Sequence, residues 1–383
     1  GEGIIVGKYR DRFLMLPGKQ SVMLSAPTRS GKGVGVVVPN LLAWQDSAVV
    51  VDIKSENWAI TAGFRAAHGQ AVYAWAPFAE DGRSHRWNPL SAIRLTDRHV
   101  VGDTLAIAQV LYPTDGKGTG TEGFFNDTAR NLFLGLAWYL VEPPELPRTI
   151  GEILRQSSGQ GQPIKQHLQH LMQQRIEGCL HPRGPLSDAC VDALMRFLST
   201  SDNTLSSILA TLNAPLTVFS DPLVDAATSG DDFSVADVRR RRMTVYVCIP
   251  PNRLADARVL LNLFFAQLIN LNTAELPEHN PALKYPCLVL LDEFTALGRI
   301  NILNAAVGYL AGYNLRLVTV IQAVSQLESV YGQHDARTFA TNHALQVLYA
   351  PREQRDANEY SEMLGTFTQQ EKSRGRSSSS GAK

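Results

Sequence analysis

The chain has 383 residues, 36 basic and 36 acidic, for a formal net charge of zero, and 44% of it is hydrophobic. That balance is ordinary for a soluble protein and excludes a whole-molecule electrostatic pull on nucleic acid, so any such binding must come from local patches. The length allows a large core plus a second unit, and no window reaches the roughly 18 consecutive apolar residues of a membrane helix.

In chain order, Gly3 to Pro17 predicts two short strands separated by the polar Arg10-Asp11-Arg12. The chain opens on Gly-Glu-Gly without an initiator Met, which reads as an excised fragment and leaves room for a membrane anchor upstream. Next comes "SVMLSAPTRSGKGVG": a buried strand, a loop of small residues ending Ser30-Gly31-Lys32, and a segment that suits a helix. This is the context of a phosphate-binding loop formed by Pro27, Thr28, Arg29, Ser30, Gly31, Lys32, Gly33 and Val34. Small residues let backbone N–H groups turn toward the β-phosphate, the helix N-terminus adds partial positive charge, and Lys32 reaches the β/γ oxygens of ATP. Two positions depart from the usual pattern. Ala26 replaces the first Gly, which is tolerable at negative φ, and Gly33 replaces the hydroxyl residue that would bind Mg²⁺ directly.

The runs "SAVVVDI" and "AVYAWA" are Val-rich without clean alternation, as in parallel strands buried on both faces. At the end of the first, Asp52, Lys54 and Glu56 are either a network near the nucleotide or a surface charge cluster, with the cluster the default. After "WNPL" the pattern turns helical from about Thr96 to Ser229. A helix over Phe124 to Glu142 is expected to be capped by Asn126 or Asp127 and stopped by Pro143-Pro144, and Pro215 breaks a later one. The Gly/Thr loop Pro113 to Gly123, with Lys117, can be mobile. Arg239 to Arg242 form a run that can bind phosphates without sequence preference, although a solvated edge is the commoner outcome.

Strands return in "MTVYVCI", "PCLVLLDE", "LRLVTVIQ" and "ALQVLYA", with a helix from Ala255 to Leu271 before the second. The second ends in Asp292-Glu293, two carboxylates at the carboxyl edge of the sheet, where open α/β folds bind ligands. Asp292 would hold a hydrated Mg²⁺, and Glu293 would orient or deprotonate the attacking water. Gln322 ends the next strand and would sense the γ-phosphate. A solvated turn or helix cap is the blander reading of Asp-Glu, and pairing with Lys32 argues against it. Cys179, Cys190, Cys248 and Cys287 form no C-x-x-C pair and suit reduced thiols, and the nine histidines lack metal-ligand spacing. The expected architecture is a split α/β unit, residues 1–95 and 230–370, with an all-α insertion over 96–229 and a flexible Ser-rich tail over 371–383.

From Val22 to Gly365, "APTRSGKGVGVVVPNLL", "VVDIKSE", "WNPL", "FFNDTARNLF", "LNAPL", "MTVYVCIPP", "LLDEFTALGRI", "NLRLVTVIQAVSQLESVYG" and "YAPREQRDANEYSEMLG" follow in one order. Together they resemble the TraG-like coupling proteins of type IV secretion and conjugation. The resemblance implies a RecA-like nucleotide-binding domain with an inserted all-α domain, and an ATPase that uses ATP and Mg²⁺. It also implies a homo-hexamer at the cytoplasmic face of the bacterial inner membrane, held by an N-terminal anchor. Its partners would be relaxase–DNA complexes or secreted effector proteins, together with components of the secretion channel. Lys32, Asp292, Glu293 and Gln322 match the family's nucleotide site. An arginine finger is not placed by the resemblance; Arg316, Arg352 and Arg355 are weak candidates. A docking receptor with negligible hydrolysis and an FtsK-like DNA translocase remain the rival readings.

Overall fold

The computed structural model describes residues 3–96, 98–113, 121–142, 146–176 and 185–368. Lys117, Pro143-Pro144, Cys179 and the Ser-rich tail lie outside the described residues. The strands are β1 (Gly3–Tyr9), β2 (Arg12–Pro17), β3 (Val22–Ser25), β4 (Ser47–Asp52), β5 (Ala71–Trp75), β6 (Met243–Cys248), β7 (Cys287–Leu291), β8 (Leu315–Ile321) and β9 (Leu345–Leu348). β1 and β2 pair as an antiparallel hairpin. The other seven form one sheet in the order β5-β6-β4-β7-β8-β3-β9, and every neighbouring pair is parallel.

A parallel sheet needs both faces covered, because each crossover lays a helix on one of them. Side chains alternate accordingly: Val22 and Leu24 pack on one face with Val36, Val37, Leu41 and Ala62, while Met23 joins the core of the other. β3, β4, β6, β7 and β8 are buried along their whole length, whereas the edge strands β5 and β9 are mostly half-buried. This matches the continuous apolar runs seen in the sequence.

Between β5 and β6 the regular elements among the described residues are all helical. The long helix Thr121–Val141 packs against Asp188–Leu198 and Asp202–Asn213. Gly135 permits the first approach, since a Cβ there would come within 2.7 Å of Leu194. The core is continuous from the sheet into these helices: Trp75 of β5 stacks on Phe264 with centroids 5.3 Å apart, and Trp87 packs edge-on against both.

The helix expected to start at Asn126 or Asp127 begins a turn or more earlier, at Thr121. Phe125 extends its packed face toward the core, so neither polar residue caps it; Asp127 instead pairs with Arg130 at 3.5 Å along the helix. Pro215 falls at the start of a 3₁₀ segment, Ala214–Ser220, as a break there requires. The helix before β7 spans Arg258–Thr273, because Pro251–Arg253 is taken up by a 3₁₀ turn.

Candidate nucleotide site

Because the sheet is parallel, the carboxyl ends of β3, β4, β7 and β8 share one edge. β8 lies between β3 and β7, so whatever follows β8 sits between the residues that follow the other two. Here the loop after β3, Asp292-Glu293 and Gln322 converge.

The loop begins at Ala26, which is fully buried and donates its N–H to the Ile321 carbonyl at 2.9 Å. Its φ is negative, so Ala replaces Gly there without strain. The reversal comes from Arg29 at φ 59° and Gly31 at φ 85°. Glycine adopts the second at no steric cost, and Arg29 has to be held in a region that side chains avoid. The chain then enters Gly33–Val37, a turn of π-helix, which runs on as the α-helix Val38–Ala43. Such π-turns concentrate at functional sites. Gly35 lies under the Tyr349 hydroxyl, where a Cβ would be 3.1 Å away. The Ser30 hydroxyl is buried in the loop and finds no hydrogen-bond partner in the protein.

Lys32 and Glu293, 261 positions apart, meet: Nζ lies 2.5 Å from Oε1. Gln322 Nε2 donates to the other carboxylate oxygen of Glu293 at 2.7 Å. Burial raises the Glu293 pKa, but the bonds from Lys32 and Gln322 outweigh it and leave the group below its ordinary range. Glu293 itself adopts φ 52°, ψ 44°, the left-handed conformation, at the sharp turn leaving β7.

Asp292 shows the opposite balance. Burial pushes its pKa up, the Lys32 charge opposes this, and the Glu293 charge adds to it. Its Oδ1 accepts the Glu293 N–H at 3.0 Å, and Oδ2 accepts a long bond from Asn57 Nδ2 at 3.4 Å. Asp52, at the end of β4, is 2% exposed and accepts the Trp58 N–H at 2.7 Å. Burial raises its pKa, the Trp58 bond opposes that, and the charge of Asp292 adds to the rise. Of the three charged residues at and beyond the end of β4, Asp52 is therefore buried beside the acidic pair, whereas Lys54 and Glu56 are exposed. The default surface reading fails for Asp52; Lys54 and Glu56 lie at the surface, although the Lys54 charge helps to lower the Glu293 pKa.

Asn57 was missed in the sequence. It directly follows the "DIKSE" motif, and Ser55 at φ 57° starts the helix Glu56–Ala67 that carries it inward. Also missed was the backing of the loop. Ser25 Oγ lies 2.8 Å from the Tyr360 hydroxyl, and Arg352 donates to the Thr28 carbonyl at 2.9 Å. A cavity of about 190 Å³ lies there, bordered by Thr28, Gln322, Tyr349 and Tyr360.

The weak finger candidates separate. Arg316 is buried at the start of β8, on the opposite edge of the sheet, and bonds the Gln20 and Leu16 carbonyls at 2.6 and 2.8 Å. Arg355 pairs with Glu328 at 3.2 Å, and Arg352 is the one that touches the loop. The arginine run also lies at that opposite edge. Arg239 is buried, Arg241 pairs with Asp237 at 3.6 Å, and Arg242 pairs with Asp46 at 3.0 Å. No cluster of three or more potential metal ligands of the His, Cys, Asp and Glu type occurs among the described residues.

Comparison with known proteins identifies relatives of the chain and of its fold. The family model for type IV secretory system conjugative DNA transfer matches residues 2–383. The chain is 32% identical over 352 residues to protein VirD4 of Rhizobium rhizogenes, covering 92% of this chain and 50% of that protein. It is 30% identical over 385 residues to the conjugal transfer protein TraG of Escherichia coli, covering 96% and 59%. The chain thus spans about half the length of the curated relatives it matches. Among solved structures, the bacterial conjugative coupling protein TrwBΔN70 superposes with a TM-score of 0.63 at 18% identity, over 95% of this chain and 75% of that one. VirB4 of Thermoanaerobacter pseudethanolicus superposes at 0.56 with 12% identity, over 96% and 89%. These likenesses carry the fold, RecA-like with helices on both sheet faces. TrwB has also been solved with an ATP analogue and with ADP and Mg²⁺. On the family match and these identities, the chain belongs to the type IV secretory system conjugative DNA transfer family.

Proposed function

We propose that the chain is the ATP-hydrolysing motor portion of a conjugative coupling protein, delivering relaxase–DNA complexes or effector proteins to a type IV secretion channel. In this reading residues 1–95 and 230–370 form the motor, and 96–229 form a helical insertion available to cargo. The observation that carries it is the contact of Lys32 with Glu293 across 261 positions, completed by Gln322. A phosphate loop and a catalytic carboxylate must share one cleft for this chemistry, and the Lys32–Glu293 contact supports that reading.

The Lys32–Glu293 pair holds the cleft in a self-neutralised state. The γ-phosphate of ATP offers Lys32 several oxygens in place of one carboxylate, and a carboxylate released from Lys32 is free to orient the attacking water and accept its proton. Gln322, bonded to that same carboxylate, reports whether Glu293 has moved. The residues present fit Mg²⁺: Asp292 is a buried carboxylate incompletely neutralised by its neighbours, and the Ser30 hydroxyl is unpaired in the loop. Asp292 would hold the hydrated ion, whose role is to neutralise phosphate charge, and water would fill the position that Gly33 leaves without a hydroxyl. The two carboxyl groups are thus shifted in opposite directions, Glu293 below its ordinary range through its bonds to Lys32 and Gln322, and Asp292 above it through burial.

TrwB complexes with nucleotides support the same assignment by likeness. The test is phosphate release by the purified chain, with and without single-stranded DNA and over a range of protein concentrations. Wild type should turn over, with a steep rise with concentration if the sites need ring neighbours. Lys32→Ala should lower turnover by about 1,000-fold or more, and Glu293→Gln should retain bound ATP. Normal hydrolysis by either variant would refute these roles, and nucleotide binding without turnover by wild type would favour a docking receptor.

A further inference from the structure

The outer half of the β1–β2 hairpin is built for something other than the core. Tyr9 is 63% exposed, Phe13 58%, Leu14 50% and Met15 43%. The strand run "RFLML" thus leaves its apolar side chains from Phe13 to Met15 in solvent, and alternation sends Phe13 and Met15 to one face and Leu14 to the other. Both faces of the ribbon's outer half carry exposed apolar groups, whereas its root is covered, with Ile4 and Ile5 buried, and a two-stranded ribbon alone is marginal in water. Three cations are interleaved with these residues: Lys8, Arg10 and Arg12, all exposed. Arg10 lies over the Tyr9 ring at 5.3 Å. The tip has one acid, Asp11, 3.8 Å from Lys8.

We propose that this tip docks on the surface of an anionic phospholipid bilayer. Cations meet headgroup phosphates, Tyr9 suits the interface by its amphipathic ring, and Phe13, Leu14 and Met15 enter the acyl boundary. A single-stranded nucleic acid also attracts cations and aromatics, but bases stack on aromatic rings along a groove and make little use of aliphatic chains. A lipid interface surrounds a ribbon on both faces, which is how the apolar groups are arranged. The root of the hairpin is fixed to the motor. Asn40, in the helix after the phosphate loop, bonds Ile5 N–H at 2.8 Å and the Ile5 carbonyl at 2.7 Å. Arg316, in the strand that leads to Gln322, bonds the Leu16 carbonyl at 2.8 Å. Contact at the tip would therefore orient the whole sheet relative to the bilayer, independently of ATP hydrolysis.

The test is co-sedimentation of the chain with vesicles of phosphatidylglycerol and phosphatidylethanolamine, against vesicles of phosphatidylcholine alone. Wild type should partition onto the anionic vesicles only. The triple variant K8Q/R10Q/R12Q should lower that partition on the order of 100-fold at low salt, at roughly fivefold per cation. F13S/L14S should weaken it by about tenfold and abolish the fraction that survives high salt. All five side chains are exposed, so melting temperatures should stay near wild type, and the charge variant alone still decides the matter if F13S/L14S misfolds. Failure to bind anionic vesicles, or equal binding by the charge variant, overturns the proposal. So does loss of single-stranded DNA retention in these variants with vesicle partition unchanged.

Discussion

The two edges of the parallel sheet use charge in opposite ways. At the carboxyl edge, Lys32, Glu293 and Asp292 interact with one another and remain partly open to solvent, at 12% and 19% for the first two side chains. At the amino edge, buried arginines are bonded largely to main-chain carbonyls. Arg65 donates to Leu41 O, Trp44 O and Asp46 O at 2.5, 2.9 and 2.7 Å, and Arg316 bonds two carbonyls below β8. Arg239 reaches the Glu275 and Tyr313 carbonyls at 3.2 and 3.1 Å. The crossover helices run opposite to the strands, so their N-termini crowd the first edge and their C-terminal carbonyls the second. One edge is left hungry for anions, and the other consumes its own cations. Arginines alone therefore do not mark a ligand site here; what marks it is a lysine and two carboxylates from distant parts of the chain gathered at one partly open edge.

The sharpest way to break this contrast is at Arg65, which uses all five donors, the remaining two on Thr244 Oγ1 at 2.7 Å and Gln70 Oε1 at 2.8 Å. Arg65→Met should destabilise the fold by about 3–5 kcal/mol, because it strands several buried acceptors. The melting temperature would fall by roughly 10 °C. A change of only a degree or two would mean that the amino-edge carbonyls do not depend on the cation.

His343 extends the comparison to a group that sheds its charge. It sits just before β9, with Nδ1 2.8 Å from the Phe339 carbonyl and Nε2 3.1 Å from Thr319 Oγ1, a pattern that suits one ring N–H and one acceptor. Burial pushes its pKa down to about 4, with the Phe339 bond partly opposing. The unfolded chain takes up the proton first, near pH 6.5, so this contribution to stability is complete above that value. It falls as pH drops toward 4 and levels off below, for a loss of about 3 kcal/mol. His343→Gln should flatten the acid limb of the melting-temperature profile between those values, and an unchanged slope would place the acid sensitivity elsewhere.

The sheet was legible because its strands are continuous apolar runs, and the place of the Lys32 loop because it follows a strand and precedes a helix. The positions of Glu293 and Gln322 were legible for the same reason: residues just past the end of a strand in a parallel sheet have only one edge to occupy. What escaped was whatever depends on tertiary packing. The start of the helix at Thr121 is decided by what Phe125 packs against, and polar Asn126 and Asp127 carry no sign of that. Asp52 and Lys54 look alike in sequence as charged residues at the end of β4, yet the first is buried and the second exposed. The exposure of Phe13 to Met15 was hidden for the opposite reason, since an apolar strand is normally read as core.

Asn57 is the smallest and most discriminating case. Its side chain is 5% exposed, and its position follows from Asp52, which holds the Trp58 N–H and so fixes the start of that helix. The amide reaches Asp292 Oδ2 at 3.4 Å, a long bond that cannot supply much stability by itself. If its role is to aim the carboxylate at a cation, Asn57→Ala should leave the stability within about 1 kcal/mol of wild type. It should also leave metal-free ADP binding intact, and raise the Mg²⁺ concentration needed for half-maximal tightening of nucleotide binding by about tenfold. A fluorescent ADP titrated at several Mg²⁺ concentrations measures this without relying on turnover. Loss of stability with unchanged Mg²⁺ dependence would make Asn57 another packing residue. The carboxyl edge would then be held like the amino edge, and the contrast between them would rest on Lys32 and Glu293 alone.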